Sequence, residues 1–145
     1  MKIFYSHHVW KYNTPIEDFE IECIKRDFSN CVCDCNDSVE VINPRNSIPQ
    51  DIPESEIMSA AYNLIGECDA FVFSTLSGVI GHGVFNEILC ALNNEIPVYQ
   101  FDGNSCFLLD CSAHEFKNSY VKDFIFKGDN RIYALLYPSI EYVEE

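Results

Sequence analysis

The residues best placed to do chemistry lie in the run Thr75-Leu-Ser-Gly-Val-Ile-Gly-His-Gly-Val-Phe-Asn-Glu87. It brings one carboxylate, one imidazole and the glycines Gly78, Gly81 and Gly83 together directly after an apolar stretch that ends in Ser74. The pattern predicts an amphipathic helix from about Val84 to Asn94, with Glu87 in its opening turn. Backbone N–H groups there would keep a carboxylate ionised, as a nucleophile requires. Acidic residues also occupy first helical turns because the helix dipole favours them, so position alone leaves a structural reading open. His82, five residues before Glu87, and the pair His7-His8 add imidazoles that titrate near neutrality and are candidate catalytic groups. The glycines would let a substrate approach the backbone, or merely permit tight turns.

Elements that could position these groups alternate along the chain. Lys2-Ile-Phe-Tyr-Ser6 reads as a first strand. Thr14-Pro15-Ile-Glu17 then reads as a capping box with proline at the first helical position, opening a helix over about 15–27. Ile16, Phe19, Cys23 and Ile24 recur at helical spacing and should face a sheet. Val39 to Ile42 is a short β-branched strand that stops at Asn43-Pro44. A loop to Pro53 precedes a helix from about Glu54 to Gly66, with Ile57, Ala60, Ala61, Leu64 and Ile65 on its apolar face. Asp69 to Phe73 is nearly all apolar, as suits a strand buried on both faces.

Pro97 to Phe101 follows the helix of Glu87 as another strand. Beyond Asp102 the pattern weakens: Cys106 to Asp110 reads as a short strand, Asn118 to Phe126 as a helix, and Arg131 to Leu136 as a strand or helix. The order β-α-β-α-β-α-β implies an α/β fold, a flavodoxin- or Rossmann-like three-layer sandwich with a mainly parallel sheet of four to five strands. Its ligand crevice should lie at the carboxyl ends of the strands. Those ends offer Tyr5, Ser6, His7 and His8 from the first strand, Asn43 from the second, and Ser74, Thr75 and Ser77 from the third. Trp10 and Tyr12, in the loop after the first strand, could stack on a planar base or pack a subunit contact. Tyr5 belongs to the core if the strand alternation holds.

Composition narrows the function classes. A chain of 145 residues that is 48% hydrophobic can bury one good core, so residues 1–145 are read as one domain, with no internal period or linker to divide them. A formal charge of −14 argues against a nucleic-acid polymer as partner, because neutralising phosphates takes a basic face. One small anion could still be held locally at a helix start or glycine nest. No stretch approaches the ~20 apolar residues that cross a bilayer, and the N-terminal residues lack the pattern of a signal peptide, so no membrane partner and a cytoplasmic location, or a host cytosol, are expected. In that compartment the eight cysteines are expected to be thiols. Cys31-Val-Cys33-Asp-Cys35 does not match zinc-ligand spacing, and neither a metal nor another cofactor is expected.

Lys2-Ile-Phe-Tyr5, Val41-Ile-Asn-Pro44, Cys68-Asp-Ala-Phe-Val-Phe73 and Gly83-Val-Phe-Asn-Glu87 through Ile96-Pro-Val98 together resemble the nucleoside 2-deoxyribosyltransferase-like proteins, including the deoxynucleoside 5'-monophosphate N-glycosidases. The resemblance covers roughly residues 1–101 and rests on the order and spacing of these motifs. It implies that Glu87 attacks the anomeric carbon of a deoxyribosyl group and that the glycosyl-enzyme is discharged to another base or to water. It implies also a homodimer or higher homo-oligomer, with a site completed across a subunit boundary. Ala61 replaces an aspartate common in the family, and Gly81 and His82 stand where transferases carry aspartates before the nucleophile, so the usual acid for the leaving base is missing. His82 or His7 could substitute. A catalytically idle binding fold, or a Toll/interleukin-receptor-like domain that binds or cleaves an NAD-derived nucleotide as sensor or sponge, is the alternative.

Overall fold

The structure, a computed structural model, describes residues 1–31, 39–103, 105–126 and 132–137. Strands β1 (Lys2–Ser6), β2 (Glu40–Ile42), β3 (Ala70–Phe73), β5 (Val98–Phe101) and β6 (Cys106–Leu109) form a five-stranded sheet in the order β2-β1-β3-β5-β6. The first four strands run parallel, and β6 pairs antiparallel with β5. Helices α1 (Pro15–Cys31), α3 (Glu54–Gly66) and α4 (His82–Asn93) cover the two faces, giving the three-layer, flavodoxin-like sandwich expected from the alternation of strands and helices.

Period-two alternation along β1 decides which helix meets which residue. Ile3 and Tyr5 join Cys23, Ile24 and Phe28 of α1 in one apolar cluster. Phe4 points the other way and packs with Ala61 and Ile65 of α3 and with Ile88 and Ala91 of α4. All four residues of β3 are buried, as a strand covered on both faces must be.

Three expectations are corrected. Of the helix expected over 118–126 only the first three residues are helical: a π-helical turn over Phe116–Tyr120 leads into a strand, β7 (Val121–Phe126), which pairs antiparallel with β8 (Ile132–Leu136). Together with β4 (Val79–Ile80) these strands make a second, three-stranded sheet in the order β4-β8-β7. Val121, Ala134 and Leu136 extend the cluster shared by α3 and α4, and this non-local pairing overrides the local helical reading. The loop after β2 also opens with a helical turn, α2 (Pro44–Ser47), capped by Asn43.

The third correction concerns α1. Ile16 and Phe19 are 52% and 55% exposed, while Glu17 and Glu20 turn inward. The opening of α1 lies over polar groups at the carboxyl end of β1, and only from Cys23 onward does it cover apolar strand residues. Thr14 does cap the helix, accepting from the Glu17 N–H at 3.3 Å, but the reciprocal half of the box is absent: Glu17 accepts from the Asn13 N–H instead.

Candidate active site

Glu87 lies at a cavity of about 470 Å³ beyond the carboxyl end of β1, a volume typical of small-molecule sites. The cavity lies between a 3₁₀ turn (Val9–Lys11), the segment from α2 into α3, and the start of α4, with Tyr133 of β8 completing the wall. His7, His8, Gly81, His82 and Gly83 line it beside Glu87, so six of the sequence-selected residues converge. Trp10 and Tyr12 join them, with Ile57, Met58 and Val84 as apolar lining.

The carboxylate is not in the first helical turn as expected. Gly81 caps α4 and His82 opens it, so the helix starts two residues early and Glu87 falls in its second turn. There it lies past the unpaired amides that would favour charge. Burial dominates instead and pushes its pKa up to about 7, opposed by a hydrogen bond from Ser6 Oγ to Oε1 at 2.6 Å. Ser6 reaches Glu87 because it shares the face of Phe4, toward α4. Glu87 is thus a group poised to change protonation near neutrality.

His7 is held from both sides. Its ring stacks on Tyr5 with centroids 3.9 Å apart, Nε2 meets Glu17 Oε2 at 2.7 Å and Nδ1 meets the Tyr5 carbonyl at 3.2 Å. Both nitrogens therefore face acceptors, leaving neither for a ligand. Burial lowers the His7 pKa, and the Glu17 contact works against that. Burial likewise opposes the charge on Glu17, but hydrogen bonds from Arg45 and His7 prevail and bring its pKa down to about 2. Asn43, named as a possible binding residue, is buried outside either cavity: its Oδ1 accepts from the Arg45 N–H, fixing the turn that delivers Arg45 to Glu17.

Ser74, Thr75, Ser77 and Gly78 line a different cavity, of about 750 Å³, at the carboxyl ends of β3 and β5. Tyr5 and Ser6 are wholly buried and line neither cavity. The three glycines accordingly form no common cradle. Gly78 follows Ser77 in a two-residue hairpin closed by Leu76 and Val79, and both turn residues have positive φ, 53° and 82°. Gly81 caps α4, and Gly83 lies within the helix.

Sequence reasoning missed the ionic floor between β1 and α1. Lys11 is 4% exposed and donates to Glu20 Oε2 at 2.8 Å, Ser74 Oγ at 3.0 Å and the Thr75 carbonyl at 2.8 Å. Tyr5 donates to the other Glu20 oxygen. The signal was in the helix phase: Glu17, Glu20, Ile24 and Phe28 follow the spacing of one buried stripe. Nothing local marked Lys11.

No protein-family model, no curated protein and no solved structure matches the chain. Among the described residues no three His, Cys, Asp or Glu side chains gather as a metal site requires, and no helix is long and apolar enough to cross a membrane. Cys33 and Cys35 lie outside the described residues.

Proposed function

We propose that this chain cleaves, or transfers at, the N-glycosidic bond of a small deoxynucleoside or nucleoside monophosphate, with Glu87 as nucleophile. The observation that carries the reading is a buried carboxylate, held by the Ser6 hydroxyl, at a cavity of nucleoside size beyond the sheet edge. In its ionised form Glu87 attacks the anomeric carbon through an oxocarbenium-like transition state, as retaining glycoside hydrolases do. Ser6 positions that carboxylate and has no contact with the cavity. Trp10 and Tyr12 offer aromatic surface for a planar base.

Val9, Trp10, Ile16 and Phe19 are exposed on the 3₁₀ turn and the opening of α1, which fits a homo-oligomer in which a second copy borders the cavity. Sedimentation at micromolar concentration checks that part: a pure monomer counts against it.

A second reading, a nucleotide-binding domain without turnover or one acting on an NAD-derived ligand, is favoured by the elevated pKa of Glu87, which keeps a share of the carboxyl neutral at pH 7 as a hydrogen-bond donor. One chromatographic screen separates the two. Wild type and Glu87→Gln are incubated with deoxynucleosides, their monophosphates and NAD. Free base should appear only with wild type, the substitution costing on the order of 10⁴-fold or more in rate. Nicotinamide release, or binding with no product, favours the second reading.

A further inference from the structure

The carboxylate accounts for attack on the sugar but not for the departing base. Of the three imidazoles at the cavity, His7 has both nitrogens committed, and Nε2 of His82 meets the Asn86 amide at 3.2 Å. His8 is arranged differently. The backbone N–H of Trp10 donates to its Nδ1 at 3.1 Å, so Nδ1 must carry a lone pair and the neutral ring must carry its proton on Nε2. Nε2 has no hydrogen-bond partner among the described residues. The Cδ2–Nε2 edge of the ring lies against Gly81, where a Cβ would stand 3.2 Å from Cδ2 and 3.6 Å from Nε2. A side chain at Gly81 would therefore press on this edge and shift the imidazole by a few tenths of an ångström from its place on the cavity wall beside the start of α4. Burial and then nearby Lys11 lower the His8 pKa, which favours the neutral donor.

We propose that His8 is the leaving-base contact of this site, donating its Nε2–H to a ring nitrogen or carbonyl oxygen of the departing base. The assignment rests on the N-glycosidic reading above. As a Glu87 oxygen bonds to the anomeric carbon, the C–N bond breaks and its electron pair passes to the base, whose growing negative charge the His8 N–H stabilises without giving up its proton. Water then attacks the same carbon: its hydroxyl stays on the sugar, Glu87 leaves as carboxylate, and the remaining proton ends on the base. A fixed neutral donor of this kind acts electrostatically, where charge develops.

Such a role depends on the leaving group, and a structural role does not. Wild type, His8→Ala and Gly81→Ala are assayed with 2'-deoxyadenosine and 2'-deoxycytidine, and with 4-nitrophenyl 2-deoxyribofuranoside, whose phenolate leaves unaided. His8→Ala should lose about 100-fold or more in kcat with a natural nucleoside and only about threefold with the nitrophenyl substrate, and Gly81→Ala should show the same preference with a smaller loss, about tenfold. Gly81→Ala reaches that result by displacing the ring, with its backbone at an ordinary φ of −81°. Equal losses on both substrates, or no loss on the nucleosides, overturn the assignment while leaving Glu87 in place. If wild type turns over none of these substrates and neither of the corresponding 5'-monophosphates, the N-glycosidic reading itself has failed and His8 falls with it.

Discussion

Ser6 Oγ and Glu87 Oε1, 2.6 Å apart, join the last residue of β1 to the second turn of α4. That contact is the one hydrogen bond the carboxyl makes among the described residues, and it opposes the burial that raises the Glu87 pKa. Serine at the end of an otherwise apolar strand thereby moderates the pKa of a helix residue 81 positions away.

Removing that hydroxyl gives a first prediction. Ser6→Ala leaves the buried carboxylate without its donor, so the Glu87 pKa should climb further above about 7. If Glu87 is the nucleophile, kcat/KM of wild type rises with pH through that value, and the Ser6→Ala limb is displaced to higher pH. The variant should also be less stable by about 1–3 kcal/mol at pH 8, where the wild-type carboxylate is charged and the variant has lost the donor that stabilises it. A pH–rate profile and urea unfolding check the two parts, and an unmoved limb counts against the link.

Glu87 also shapes stability. Its folded pKa lies above the ordinary value of 4.5, so between pH 4.5 and about 7 the folded state binds a proton that the unfolded state has released. Stability must then fall as pH rises through that window, by on the order of 3 kcal/mol for a shift of this size. Glu87→Gln cannot titrate and should lack this loss. Unfolding free energies of both proteins at pH 5 and pH 8 give the comparison; parallel pH dependences would falsify the burial argument.

Glu17 has the opposite sign. Its pKa is depressed to about 2 despite burial, so the stability it contributes is complete above pH 4.5 and is lost as pH falls toward 2. Glu17→Ala leaves His7 and Arg45 without their carboxylate and should cost about 3–5 kcal/mol at pH 7. The variant should also show a flatter acid limb, measurable by thermal melts from pH 5 to pH 2.

Lys11 provides a test of the ionic floor. Lys11→Met keeps the aliphatic stem but strands Glu20 without its ammonium partner, and stability should drop by about 3–5 kcal/mol. Adding Glu20→Gln should recover part of that loss, because the stranded charge is then gone. A double-mutant cycle in which the second change recovers nothing would count against the pair.

The hairpin between β3 and β4 offers a gain. Ser77 sits at φ 53° without glycine's freedom, and Asn-Gly is the dipeptide that two-residue turns of this kind prefer. Ser77→Asn should therefore raise the melting temperature slightly, whereas Gly78→Ala, at φ 82°, should lower it by an amount corresponding to about 1 kcal/mol.

The sequence by itself determined the frame. Alternating apolar runs and helical patterns gave β1, α3, β3 and β5 nearly residue for residue, because those elements are specified by local signals: a proline before Glu54, four apolar residues at 70–73, and Pro97 before the mostly apolar run 98–101. The carboxyl-edge rule selected His7 and His8, and the glycine run supplied Gly81, His82, Gly83 and Glu87; these six share one cavity, whereas Tyr5, Ser6 and Asn43, selected by the same rule, do not line it. Tertiary structure decided what local pattern cannot encode. Strands β7 and β8 exist because they pair with each other and pack over α4, at sequence separations a helical window does not span. Ser74, Thr75, Ser77 and Gly78 went to a second cavity because the Ser77-Gly78 hairpin turns the chain away before α4 begins. The charge state of Glu87 was likewise a tertiary outcome. The sequence places a carboxylate near a helix start and suggests stabilised charge, but desolvation depends on what surrounds the group, and Glu87 is packed behind Ser6 rather than presented to the helix amides.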